Sequence, residues 1–420
     1  MKTLCFVSLH AYPVVDPEAT GIYGGTETRA VTLATGCVRH PGYAIQFLAR
    51  NPRLTARCKI DGLEWIPWRD FWTELRARVS RDIEFRPNSR WPRLKRWRSA
   101  LLWQLPLLAA TRPIRIQRDH ARLGHKVFSR TGANCYFVFG VNSASTTAIH
   151  NARLLGKPSV LFLGANSDLD ERYTPHSTYI TPYGERATNC YWALRHADRI
   201  VVQNTYQLET LKQRFGRDGL LLPNPIDLTA WEQLASHNLD RHRIPWSDYI
   251  LWVGRAETFH KRADLAVQLA RELPERNFVL VLNPRDAAVE QAIRQDLPAN
   301  VHLIERAAFE EMPALFRGAR VFLNTSAQAY EGFPNTFLQS LAGRVPIASL
   351  EVAGDFLATT RGGLCAEGNP RVLKEIVQTL AGRPLPATVD LSHAHSYIRQ
   401  HHDLAAAAQT LLRLAEDLLV

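Results

Sequence analysis

The segment Tyr330-Glu331-Gly332-Phe333-Pro334-Asn335-Thr336-Phe337-Leu338-Gln339 decides how this chain is read. It stands between one apolar strand-like run, Ala319 to Leu323, and a second short one, Val345 to Ala348. The spacing predicts a strand, a turn carrying one acid, and a helix that opens at Asn335 with that residue as its N-cap. The first turn of such a helix leaves backbone N–H groups unpaired and carries a partial positive charge, which suits a diphosphate. Glu331 falls in a loop at the carboxyl end of a strand, where open α/β sheets bind ligands. An anion cradle beside a hydroxyl-binding acid points to a sugar nucleotide.

Working outward, apolar strand-like runs alternate with helix-length amphipathic runs, the pattern of parallel α/β layers. In the first half the strands are Thr3 to Leu9, Ala44 to Leu48, Cys135 to Phe139, Ser159 to Leu163 and Ile200 to Gln203, with helices from Thr26 to about Cys37 and from Thr205 to Phe215. Leu222-Pro223-Asn224-Pro225 closes this half, and a polar stretch from Asp227 to Asp248 separates it from a fresh series opening at Tyr249. Strands at Phe278 to Leu282, Val301 to Ile304 and Val321 to Asn324 follow. The expectation is a domain over residues 1–228, interrupted by an insertion at about 65–130, and a second over 248–400. A last helix is expected from Asp403 to Leu419, beyond a His-rich link (His393, His395, His401, His402) read as solvated.

Val253-Gly254-Arg255 ends the first strand of the second series, and Lys261 lies at the start of the helix after it. Strand, glycine, Arg, short loop, Lys and helix together predict a cationic phosphate clamp. A solvated pair of helix-flanking cations is the bland alternative, and the Glu331 segment weighs against it.

Gly254-Arg255…Lys261 with Glu331-Gly332-Phe333-Pro334-Asn335…Gln339 resembles the retaining, family 4 type (group 1) glycosyltransferases of the GT-B fold. The resemblance is strongest from about residue 197 to 365. It continues weakly through Gly24-Gly25-Thr26-Glu27 and Leu222-Pro223-Asn224-Pro225-Ile226-Asp227. It implies two Rossmann-like domains facing across a cleft, the second holding a UDP- or GDP-linked sugar and the first the acceptor. Residues 401–420 would pack back on the first domain. Arg255, Lys261 and Glu331 would carry the chemistry: the two cations neutralise the departing diphosphate and Glu331 binds the sugar hydroxyls. Gly332, Phe333, Pro334, Asn335 and Thr336 would line sugar and phosphate, although Pro334 has no N–H to give. Gly24, Gly25 and Gly254 would let backbone approach the donor, and Arg306 would stand near the base. Gln339 occupies the place of the family's second acid and can still hydrogen-bond a ribose. No protein nucleophile, cofactor or metal is assigned. The implied activity is hexosyl transfer to a saccharide or lipid-linked saccharide in polysaccharide or glycolipid synthesis. A sugar-nucleotide epimerase of the same fold and a non-catalytic membrane-surface or nucleic-acid adaptor are the rival readings.

On the acceptor side, many relatives carry a His where this chain has Gly164-Ala165-Asn166-Ser167-Asp168. Asn166 and Asp168 are therefore candidates to contact acceptor or sugar, with a plain helix cap as the alternative for Asp168. Asn142, after the strand Cys135 to Phe139, is a third candidate. Asp168-Leu169-Asp170 also matches a short D-x-D metal signature, a pattern common by chance.

Composition bounds the rest. The chain has 420 residues, enough for two full cores, and an ordinary 46% of hydrophobic residues. Its six cysteines form no C-x-x-C pair and read as buried reduced thiols. No stretch approaches the roughly 18 uncharged apolar residues of a membrane span, and a cytoplasmic protein is expected. The net charge is +11, and between Arg76 and Arg130 fifteen Arg and Lys face three acids, so that segment holds the whole excess. Six tryptophans (Trp65, Trp68, Trp72, Trp91, Trp97, Trp103) lie in or just before it. A solvated helical lobe with packed tryptophans, an anionic membrane surface, and nucleic acid all remain open as its use.

Overall fold

The computed structural model of the chain describes residues 1–19, 21, 23–69, 71–84, 92–112, 120–235 and 239–419. The strands of the first half are β1 (Lys2–Val7), β2 (Tyr43–Ala49), β3 (Cys58–Ile60), β4 (Leu63–Pro67), β5 (Ile83–Glu84), β6 (Arg93–Leu94), β7 (Cys135–Phe139), β8 (Ser159–Phe162), β9 (Arg199–Val202) and β10 (Leu220–Leu221). Eight of them form one sheet in the order β10-β9-β8-β7-β1-β2-β4-β3, while β5 and β6 pair with each other. Every pairing in the large sheet is parallel except β3 with β4. Its central strands are buried on both faces, so they read as continuous apolar runs rather than as alternation. Phe6, Phe137 and Phe162 pack on one face, and Tyr136, Leu161 and Val202 on the other.

The second half repeats the plan with β11 (Tyr249–Arg255), β12 (Phe278–Asn283), β13 (Val301–Ile304), β14 (Ala319–Asn324), β15 (Ile347–Ser349) and β16 (Gly363–Cys365). They form an all-parallel sheet in the order β13-β12-β11-β14-β15-β16. Helix limits follow their caps. Asn204 accepts from the Gln207 amide at the start of Thr205–Phe215, and left-handed Gly216 ends that helix.

The chain crosses between the sheets twice, and the crossings lie side by side where Ile226 bridges to Asp403. The terminal helix Leu404–Leu418 then buries Ala407, Ala408, Leu411 and Ala415 in the cluster that contains Phe6 and Leu33. The His-rich link departs from expectation. His393, His395 and His401 lie in a helix, Leu391–His401, and both His395 and His402 are buried. His402 Nδ1 donates to the Asn224 carbonyl (2.7 Å) and its ring stacks on Phe333 at 5.7 Å, so burial keeps the imidazole below its usual titration range.

Among its described residues the basic insertion holds the helices Phe71–Asp82 and Leu101–Ala110 beside the β5–β6 pair, and the short helix Lys126–Ser129 near its end. Trp65 and Trp68 are buried in the first domain's own core, whereas Trp97 and Trp103 are 62% and 52% exposed; Trp91 lies outside the described residues. All six cysteines are free thiols, and four of them are buried.

Gly363 pairs with Ile347 so closely that an added Cβ would come 2.1 Å from the Ile347 carbonyl oxygen. Gly363→Ala should therefore destabilise the second domain by about 2–3 kcal/mol. A urea midpoint equal to that of the unsubstituted chain would contradict this packing.

Candidate functional site

The carboxyl ends of the two sheets face one cavity of about 750 Å³, within the range of small-molecule sites. From the second sheet, β11 ends in Val253-Gly254-Arg255. A Cβ on Gly254 would stand 2.6 Å from the Trp252 ring and 3.1 Å from Lys261 Cβ, so only glycine lets the following loop fold back over the strand end. That loop is sewn to the one after β14. Thr325 Oγ1 donates to the Lys261 carbonyl (2.7 Å), Trp252 Nε1 donates to Thr325 Oγ1 (2.9 Å), and the Ala327 amide donates to the His260 carbonyl (2.8 Å).

This sewing places Glu331 at the centre of a charge cluster. The Lys261 ammonium pairs with Glu331 Oε2 at close range, and His260 Nε2 stands 3.1 Å from the same oxygen. Lys261 also donates to Ser326 Oγ (3.3 Å). Burial alone would raise the Glu331 carboxyl, but Lys261 and His260 outweigh it and hold it well below the usual carboxylate range. Its stabilising contribution is thus complete above the ordinary carboxylate value and is lost as pH falls through the depressed one. Arg255 lies 3.1 Å from the buried carboxylate of Glu257. Its guanidinium reaches His260 Nδ1 at 3.2 Å and Tyr183 Oη at 3.4 Å. Burial, then the Lys261 charge, keep the His260 imidazole below its ordinary 6.5. It is therefore neutral near pH 7, with Nε2–H donating to Glu331.

Of the residues singled out in the sequence, Gly24, Gly25, Asn142, Asp168, Gly254, Arg255, Lys261, Glu331, Phe333, Pro334, Asn335, Thr336 and Gln339 line this cavity together. Gly332, Asn166 and Arg306 lie outside its lining. Arg306 Nη2 instead donates to the Ala19 carbonyl of the first domain (3.1 Å). The acceptor-side candidates are engaged locally. Asn142 Oδ1 accepts from the Ser145 amide (2.9 Å) and so caps the helix Ser143–Leu154. Asp168 Oδ2 accepts from the Gly164 and Ala165 amides (2.7 and 3.3 Å), a cap-like pairing at a residue that also lines the cavity. Burial pushes its carboxyl up to about 6 despite those amides. Asp170 pairs with Arg172.

Asn335 is not the N-cap of its helix. The helix runs Asn335–Ala342 with Pro334 before it, and the Asn335 side chain crosses the cleft. Its Nδ2 donates to the Gly25 carbonyl (2.9 Å), and its Oδ1 accepts from Asn224 Nδ2 (2.6 Å). Other neutral amides continue this seam. Asn204 Nδ2 donates to the Gly332 carbonyl, and Asn166 Nδ2 to the Gln328 carbonyl, both at 3.2 Å. Three further residues at the cluster, His260, Glu257 and Tyr183, were not singled out in the sequence. His260 had one available signal, its adjacency to Lys261. Tyr183 sits in Pro182-Tyr183-Gly184, which reads as an ordinary turn.

Gly332 packs so tightly on the first domain that a Cβ would lie 2.1 Å from Gln203 Oε1 and 3.1 Å from the Ala165 backbone. Gly332→Ala should leave both domains folded but hold the cleft ajar, raising the radius of gyration in small-angle scattering. An unchanged scattering curve would rule out this contact as the limit on closure.

Comparison with known proteins bears on the whole arrangement. Residues 247–382 match the family model described as glycosyl transferases group 1. Among solved structures, sucrose-phosphate synthase from Thermosynechococcus elongatus superposes with a TM-score of 0.68 at 14% identity, covering 100% of this chain and 99% of that one. HepE of Anabaena, solved in complex with UDP-glucose, gives 0.62 at 13% identity, over 99% of this chain and 100% of that one. TarM of S. aureus, in complex with fondaparinux, α-GlcNAc-glycerol and UDP, gives 0.60 at 11% identity with 99% and 100% coverage. A search of curated proteins finds no match. The chain thus has the GT-B fold of these structures, and its second half, over residues 247–382, matches the group 1 glycosyltransferase model.

Proposed function

We propose that this protein is a glycosyltransferase that moves a hexosyl group from a UDP- or GDP-linked sugar to a saccharide or lipid-linked saccharide acceptor, with retention of anomeric configuration. The observation that carries the reading is the placement of Glu331, Lys261 and Arg255 in one cavity beside the Asn335 helix. In this reading Glu331 accepts from hydroxyls of the donor sugar. Arg255 and Lys261 turn to the diphosphate and stabilise negative charge where it grows as the bond to the anomeric carbon breaks. The acceptor oxygen forms the new bond on the face the diphosphate leaves. The acceptor's proton passes to a departing phosphate oxygen, and the electron pair of the broken bond leaves with the nucleotide. The charge balance is met by the two cations, and no resident metal or cofactor is part of this scheme. Gln339, 8% exposed in the cavity wall, would hydrogen-bond the ribose. The epimerase alternative has no observation of its own in its favour.

A membrane-surface role for the basic lobe also draws support. Phe71, Leu94, Trp97, Leu102, Trp103 and Leu105 are all exposed, and Arg93, Lys95 and Arg96 are exposed among them. Among the described residues the lobe's own buried cluster is Val79, Ile83 and Leu101, with Leu108 against it, and none of these exposed side chains belongs to it. Exposed apolar and cationic side chains on one lobe suit the boundary of an anionic bilayer. No helix among the described residues is long and apolar enough to cross a membrane.

Two measurements test these readings. In a nucleotide-release assay over UDP- and GDP-sugars, Arg255→Ala and Lys261→Ala should each lower kcat/KM by roughly 100-fold or more. Glu331→Ala should cripple transfer while UDP or GDP binding survives; near-normal transfer by the Arg255 and Lys261 variants would refute the clamp. In flotation assays the full chain should bind vesicles containing phosphatidylglycerol at low salt, and Leu102→Ser with Trp103→Ser should lose at least roughly tenfold in binding. Absence of binding by the unsubstituted chain removes the membrane role.

A further inference from the structure

Tyr183 belongs to the first domain yet ends among the charged groups of the second. Its segment is a short hairpin. Ile180 bridges antiparallel to Arg186, the Thr181 amide donates to the Glu185 carbonyl (2.8 Å), and the Gly184 amide donates to the Thr181 carbonyl (2.8 Å). Pro182 and Gly184 suit the turn, with Gly184 at φ +83°. The hairpin is pinned at its base, because Glu185 Oε2 accepts from the Ser143 amide (2.8 Å) and hydroxyl (2.5 Å) at the N-terminus of Ser143–Leu154. At its tip the Tyr183 ring lies edge-on to Phe259, 5.6 Å between centroids, with the Arg255 and Arg285 guanidinium carbons 5.8 and 5.7 Å from its ring centroid. Its hydroxyl is 3.0 Å from His260 Nδ1.

Donor and acceptor roles along this line agree with one another. With Nε2–H given to Glu331 (3.1 Å), His260 Nδ1 is an acceptor, shared between the Tyr183 hydroxyl (3.0 Å) and Arg255 Nη2 (3.2 Å). We propose that Tyr183 is a positioning residue of the donor site, acting through His260 on Glu331 when the hairpin spans the cleft. Glu331 then takes its sugar-binding orientation only with both domains in place. The groups facing the imidazole are Tyr183 from the hairpin, Arg255 and Glu257 after β11, Lys261 beside it, and Tyr330 and Glu331 after β14. This inference rests on Glu331 being the carboxylate that binds the donor sugar.

The test pairs kinetics with a direct view of the imidazole, in the full chain. Tyr183→Phe keeps the ring and its stacking but removes the hydroxyl; His260→Gln keeps a donor for Glu331. With whichever donor the release assay identifies, Tyr183→Phe should lower kcat roughly tenfold with donor KM within about twofold, the signature of an interaction that matters in the transition state. In a His260→Ala background the same substitution should cost almost nothing, since the relay is already cut. Additive losses, or a change in KM alone, would overturn the proposal. Independently of any donor, selectively labelled histidine should show the His260 signal, assigned by its absence in His260→Gln, titrating below 6.5. In Tyr183→Phe it should move, because Nδ1 loses the hydroxyl that donates to it when neutral and accepts from it when protonated. An unmoved signal removes the relay even in a protein whose transferase activity is established. If no sugar nucleotide is turned over, the functional reading fails separately, and this titration alone judges the contact.

Discussion

A buried carboxylate whose charge is answered from its own domain is the constraint around which this molecule is arranged. Glu331 is 8% exposed, and an ionised group there is tolerable only because Lys261 and His260 reach the same oxygen. Those partners come from the loop after β11, whereas Glu331 comes from the loop after β14. The two loops must therefore be held together, and Thr325, Trp252 and the His260 carbonyl do this with hydrogen bonds. Gly254 removes the one side chain that would keep Lys261 away. Any polar ligand entering the cavity meets cations already gathered at its wall, which have only to exchange carboxylate partners for the ligand's own negative charge.

The closed cleft is built differently. The seam between the two sheets is mostly neutral amide hydrogen bonds, among them Asn335 to Gly25, Asn204 to Gly332 and Asn166 to Gln328. Neutral bonds of this kind contribute on the order of 1 kcal/mol each and exchange readily with water. Such a seam can open and close for substrates, while the Lys261–Glu331 pair stays within one domain and Tyr183 reaches its cluster only across the closed cleft. His402 and Asn224, where the chain crosses between the sheets, give the motion a fixed base.

Local patterns carried much of this. Continuous apolar runs locate the central strands of both sheets within a residue or two because strands buried on both faces must be apolar along their length, whereas the peripheral strands β3, β4 and β16 carry no such reading. The helix Thr205–Phe215 is legible to the residue from its Asn204 cap and Gly216 stop. Readings failed where a polar side chain had two local uses. Asn335 reads as an N-cap, yet its side chain spans the cleft, and Asn142, read as a cleft residue, lines the cavity and caps a helix as well. The histidines near the C-terminus read as solvated because polarity suggests exposure. His395 and His402 are buried all the same, and for His402 a carbonyl acceptor and aromatic neighbours lie far away in the chain.

Two parallel α/β halves, a basic tryptophan-bearing insertion, and the Arg255, Lys261 and Glu331 positions are legible along the chain, since strand patterning and loop chemistry are properties of sequence neighbours. Folding in three dimensions adds that His260 and Tyr183 join those residues, that Asn335 ties one domain to the other, and that Trp97 and Trp103 face outward. Each of those is a contact, or the lack of one, between segments as far apart as Gly25 and Asn335. No periodicity encodes such a contact, because it depends on how two sheets and their crossovers pack in space.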